Sequence, residues 1–100
     1  MTKAEKFNLY ADTLYGMWRK AQDTVPEACV SFECRGFNSE KLGKYRSIYI
    51  GITETGGSRE YYYVCEALSN MEKKFTLVKT MLNNLLLEAP CPYCEKEKEN

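Results

Sequence analysis

The chain predicts an α+β domain of order α-β-β-β-α, a three-stranded antiparallel sheet with two long helices packed on one face. Three observations carry this. Apolar residues recur at steps of four and three near the start of the chain and again from Leu68, the period of a helix with one buried stripe. Between those stretches, apolar and polar residues alternate in steps of two, the period of a half-buried strand. Gly56-Gly57 falls between two such segments and signals a hairpin.

Thr2 and Glu5 open the first helix with the T-x-x-E pattern of a capping box. Phe7, Ala11, Leu14, Trp18, Ala21 and Val25 form its inward stripe, widened by Tyr10 and Met17. Pro26 stops it and turns Val25 toward an extended conformation. Gly16 costs about 1 kcal/mol relative to Ala inside a helix, so this helix relies on packing.

Glu27 to Arg35 is the first strand, with Ala28, Val30, Phe32 and Cys34 on one side. Residues 36–43 read as a polar connection. Lys44 to Thr53 is the second strand, with Ile48, Ile50 and Ile52 inward and Tyr45, Ser47 and Tyr49 outward. Arg59 to Cys65 is the third. With Gly56-Gly57 as the two central turn residues, Ile52 opposes Tyr61, Ile50 opposes Tyr63 and Ile48 opposes Cys65. Opposed residues share a face, so Tyr61, Tyr63 and Cys65 are expected in the core, and Tyr62 outside, over Gly51. A slip of one residue would reverse that assignment.

Ser69-Asn70-Met71-Glu72 repeats the capping-box pattern and opens the second long helix. Leu68, Met71, Phe75, Val78, Leu82 and Leu85 form its stripe, and Pro90 ends it. Residues 1–89 therefore read as a single compact domain, and residues 90–100 as a polar tail carrying Cys91-Pro92-Tyr93-Cys94.

Composition narrows the function. The chain has 100 residues and a formal net charge of zero, without the basic excess of a dedicated duplex binder. It contains no histidine, the commonest general base and the usual activator of Ser and Cys nucleophiles. Its carboxylates form no acid/base pair, and no glycine loop cradles a phosphate. These features predict a protein that is not an enzyme. No apolar run is long enough to span a membrane, and the N-terminus lacks the apolar core of a secretory signal. The expected location is cytoplasmic, with the five cysteines reduced or bound to metal.

Three constellations remain. Tyr45, Tyr49 and Tyr62 are expected on the outer sheet face, where tyrosines give large contact area at low entropic cost. They are the predicted partner-binding residues. Cys91 and Cys94 supply two of the four ligands a closed zinc site needs, with Cys29, Cys34, Cys65 or a second subunit as sources of the rest. Cys91-Pro92-Tyr93-Cys94 also resembles the redox motif of glutaredoxins, which implies thiol chemistry, and a reduced tail is the third reading. Leu9, Leu77 and Leu87 lie off the buried stripes and, together with Leu86, offer a helix-mediated homodimer surface.

The α-β-β-β-α order and the Lys73-Lys74 pair resemble the double-stranded RNA-binding domain. That resemblance implies a nucleic-acid-binding alternative using Lys73, Lys74 and Lys79 on phosphates. The leading expectation is a small non-enzymatic interaction protein, of the size and architecture typical of phage and mobile-element regulators or inhibitors that bind a host protein complex.

Overall fold

The computed structural model describes residues 1–25, 29–53, 57 and 59–88. The Cys91–Cys94 motif, the tail, Pro26, Pro90 and Gly56 of the predicted turn lie outside the described residues. Among those described, the order is α1 (Lys3–Thr24), β1 (Cys29–Ser39), β2 (Gly43–Thr53), β3 (Arg59–Cys65) and α2 (Met71–Glu88). The sheet is antiparallel with β2 in the centre. The α+β class and the α-β-β-β-α order are those predicted.

The first helix starts as its sequence requires. Thr2 Oγ1 accepts from the Glu5 amide at 3.1 Å, and Glu5 Oε1 accepts from the Thr2 amide at 3.1 Å, so two backbone donors that lack helical partners are satisfied. Phe7, Tyr10, Leu14 and Ala21 are buried, with Ala11, Met17 and Trp18 packed beside them. The second helix starts later than expected. Its first backbone bond runs from the Lys74 amide to the Asn70 carbonyl, which makes Asn70 rather than Ser69 the residue before the helix. Met71, Val78 and Leu82 are buried, whereas Leu68 precedes the helix and is exposed. Tyr10 of α1 stacks on Phe75 of α2 at 4.0 Å between ring centres, which ties the two helices together.

The strand β1 runs four residues further than predicted, through Ser39. Period-two alternation continues past Gly36, and Phe37 and Ser39 pair with Tyr45 and Gly43. The connection is correspondingly tight. Ser39 Oγ accepts from the amides of Lys41 and Leu42, at 3.2 and 3.3 Å. Gly43 has φ of 72°, a left-handed conformation that glycine adopts without steric cost.

The register of β3 differs by one residue from the expectation. Ile48 faces Val64, Ile50 faces Tyr62 and Ile52 faces Glu60, while Tyr49 faces Tyr63 and Gly51 faces Tyr61. The cause is the connection. Thr53 faces Arg59, leaving an odd number of residues between the strands, and a symmetric two-glycine turn requires an even number. The slip exchanges the faces of β3. Val64 and Tyr62 turn toward the helices, and Tyr61 and Tyr63 turn away, correcting their assignment to the core. Cys65 is buried as expected, but on the open side, opposite Ser47. Cys34 lies on the helix side and is exposed, because the outer part of β1 extends beyond the residues that the helices cover.

The core lies between the sheet and the helices: Val30, Ile48, Ile50, Ile52 and Val64 against Phe7, Leu14, Val78 and Leu82. No helix is long and apolar enough to cross a membrane among the described residues.

Candidate interaction face

Every side chain that projects from the sheet away from the helices is fixed by strand parity. On that side are Cys29, Ser31, Glu33, Arg35, Phe37 and Ser39 of β1, Tyr45, Ser47, Tyr49, Thr53 and the bare backbone of Gly51 in β2, and Arg59, Tyr61, Tyr63 and Cys65 of β3. Aromatic residues thus line all three strands on this side, where Tyr61 and Tyr63 are exposed while Ser47 and Cys65 are buried.

The rings form two groups. Phe37 stacks on Tyr45 with centroids 5.2 Å apart and an interplanar angle of 19°, and meets Tyr49 edge-on at 6.4 Å. The Arg35 guanidinium lies 6.0 Å from the centre of the Tyr49 ring, held by Glu33 Oε1 at 2.7 Å from Arg35 Nε. That hydrogen bond raises the Arg35 pKa further above a range that already keeps the guanidinium charged. On the other side Tyr61 is 71% exposed, with the Arg59 guanidinium 5.1 Å from its ring centre. Lys74 reaches from α2 to within 5.3 Å of the Tyr63 ring centre. Each of the three tyrosines Tyr49, Tyr61 and Tyr63 therefore has a cation near its ring.

Arg59 also crosses the sheet. Its Nη2 donates to Ser31 Oγ at 2.7 Å and its Nη1 to Thr53 Oγ1 at 3.1 Å, so a β3 side chain reaches β1 across β2. Gly51 makes this crossing feasible. A Cβ there would stand 2.7 Å from both Arg59 Nη2 and Ser31 Oγ. Arg59, not Tyr62, is the side chain that covers Gly51. Between the two aromatic groups lies a depression of about 520 Å³, lined by Ser31, Phe32, Glu33, Arg35, Tyr49, Gly51 and Tyr61.

The predicted partner-binding residues divide. Tyr45 and Tyr49 stand on the open face as expected. Tyr62 does not: it packs against the core, and its hydroxyl donates to the Glu60 carboxylate on the same side. The face also contains residues the sequence reading placed elsewhere. Phe37 fell in the supposed connection, although the alternation of β1 continues to it. Tyr61 and Tyr63 were hidden by the run Tyr61-Tyr62-Tyr63-Val64-Cys65, in which every position is apolar or aromatic and period two gives no preferred side.

All three lysines of the nucleic-acid alternative lie on α2. Lys74 turns to Tyr63 at the sheet edge, Lys79 lies 5.8 Å from the Phe75 ring centre at the helix seam, and Lys73 is exposed on α2. Cys29 and Cys34 lie on opposite sides of β1, and no three Cys, Asp or Glu side chains gather as metal ligands among the described residues. Leu9, Leu77 and Leu87 are exposed on the helices.

A separate polar cluster fastens the sheet to α1. Arg46 Nη2 meets Glu66 Oε2 at 2.8 Å, its Nη1 donates to Asn8 Oδ1 at 2.6 Å, and its guanidinium lies 4.5 Å from the Phe7 ring centre. The backbone amide of Arg46 also donates to Glu66 Oε1 at 3.0 Å. The hydrogen bonds from Arg46 hold the Glu66 carboxyl below its ordinary value of 4.5. This cluster lies on the helix side and is structural.

Comparison with protein-family models, curated proteins and solved structures finds no match to this chain.

Proposed function

We propose that this protein is a non-enzymatic binding module that acts sterically, pressing its open sheet face against a protein within a larger complex as a regulator or inhibitor. The observation that supports this is the uncovered face itself, with Phe37, Tyr45, Tyr49, Tyr61 and Tyr63 set among Arg35, Arg59 and Lys74. Tyr and Arg are the residue types that most often dominate protein–protein binding energy. Their rings and guanidinium groups are held by one another before binding, which reduces the ordering cost of association. The charge on the face also favours a protein. Glu33 pairs with Arg35, leaving only a small cationic excess, too little for a phosphate backbone to supply much of the affinity.

The test is affinity capture from lysate of the native source with Tyr49→Ala, Tyr61→Ala and Tyr62→Phe variants. Loss of the same captured protein in the first two and its retention in the third is expected. Wild-type capture by both alanine variants would remove the open face from the account.

A second reading rests on the pairing of rings with cations. Bases of a single strand stack on such platforms without sequence preference. It requires retention on single-stranded oligonucleotides at low salt that falls steeply as salt rises, and that is lost in Tyr61→Ala.

A further inference from the structure

Free backbone groups line the outer edge of β1. Arg46 of β2 bonds Glu66 through both its amide and its carbonyl, so the even-numbered residues of β2 turn their backbone groups toward β3. The odd-numbered residues turn theirs toward β1, where they meet Ser31, Glu33, Arg35 and Phe37. The amides and carbonyls of Val30, Phe32, Cys34, Gly36 and Asn38 therefore point away from the sheet. One end of this row is closed: the Val30 carbonyl accepts from Trp18 Nε1 at 2.9 Å and from Gln22 Nε2 at 3.1 Å. Phe32, Cys34 and Gly36 have no such cap among the described residues.

We propose that the uncapped edge of β1 pairs antiparallel with the same edge of a second copy of this chain, about a two-fold axis through Cys34, joining two sheets into one of six strands. Three features of the sequence select that occupant and that register. First, an axis at Cys34 sets Glu33 opposite Arg35 of the second copy, and Arg35 opposite its Glu33. An axis at 33 or 35 would instead set like charges face to face. Second, Glu33 and Arg35 fall at the positions where opposed side chains approach most closely, because the outward-pointing Cys34, Phe32 and Gly36 form the hydrogen-bonded pairs. Third, Phe32 falls opposite Gly36 of the second copy. Phe32 is flanked on the helix side by Tyr15, edge-on at 5.6 Å, and Tyr15 is itself 43% exposed. Gly36 has open space where a side chain would stand, so it offers bare backbone against which these rings lie. The capped Val30 carbonyl ends the ladder on each side, so pairing runs from 32 to 36. The contact is isologous and closes at two copies. It leaves the aromatic faces side by side and is independent of what they bind.

Sedimentation of the full chain across a range of concentrations, with circular dichroism to confirm folding, tests this. The wild type is expected to form a reversible dimer of the 11.6 kDa chain. Glu33→Arg sets like charges across the axis twice and is expected to weaken the dimer about tenfold. Glu33→Arg combined with Arg35→Glu restores opposite charges and is expected to recover it. Gly36→Pro removes an amide that points away from β2 and is expected to give a folded monomer. A wild type that stays monomeric at every concentration overturns the proposal and leaves the edge to a strand of another protein. So does a dimer indifferent to Gly36→Pro, or a charge swap that recovers nothing.

Discussion

Ile48, Ile50 and Ile52 point from β2 into the helices, while Tyr45, Ser47, Tyr49 and Gly51 point from the same strand to the open side. The first group is sealed, with Ile48 and Ile50 at 0% exposure. Full burial of such a side chain stabilises by about 1.5–3 kcal/mol. In the second group Ser47 is itself buried and donates to the Val64 carbonyl, but Tyr45 and Tyr49 are held by ring–ring and ring–cation contacts, each contributing about 0.5–1.5 kcal/mol. One strand thus separates what holds the fold from what is free to meet a partner. Changes on one side should move stability and changes on the other should move binding.

The largest expected effect breaks the sealed side. Ile50→Ala removes buried methyl and methylene groups from the core and is expected to cost about 2–5 kcal/mol in urea unfolding. Next is the polar cluster that joins the sheet to α1. Arg46→Ala removes the guanidinium from Glu66 and Asn8, leaving Glu66 only the backbone amide, and uncovers Phe7, with an expected loss of about 2 kcal/mol by the same measurement. The same cluster gives the stability a pH dependence. The folded chain favours ionised Glu66, so its contribution is complete above the ordinary value of 4.5. It fades as pH falls through the lower value in the folded state. Thermal unfolding should therefore show a loss below about pH 4.5 that is smaller in Glu66→Gln.

The smallest effects on stability belong to the open side. Tyr61→Ala is expected to change unfolding free energy by no more than about 0.5 kcal/mol, because the ring is largely solvated. Gly51→Ala sharpens the comparison further. The added methyl displaces the end of the Arg59 side chain and rotates Ser31 Oγ, both of which move easily, so stability should change by less than about 1 kcal/mol. The bridge from β3 to β1 is lost, and the amide shift of Ser31 in NMR spectra reports it.

The sealed side was largely legible in the sequence. The helix stripes through Phe7, Leu14 and Ala21 and through Met71, Val78 and Leu82 were readable from spacing, and the alternation of Ile48, Ile50 and Ile52 gave the central strand its inward face. The open side was legible only in part. Tyr45 and Tyr49 follow from the isoleucine alternation by parity. Tyr61, Tyr62 and Tyr63 do not, because three consecutive tyrosines fit either face. Their orientation depended on the length of the connection, and two adjacent glycines suggested an even count where the pairing requires an odd one. Arg59 was unreadable as a bridge because its contacts span three strands and leave no periodic trace. The extent of β1 was obscured by Gly36, which resembles a strand end when only composition is considered.

Trp18 is the only tryptophan of the chain, and its indole is hydrogen-bonded to β1 while its ring lies beside Tyr15 and Phe32. Emission excited at the long-wavelength edge of the absorption band, where tyrosine does not absorb, therefore originates at the junction of the first helix with the border strand. The protein has an intrinsic optical reporter at that junction, and a red shift in its emission would mark the border strand detaching without any label being attached.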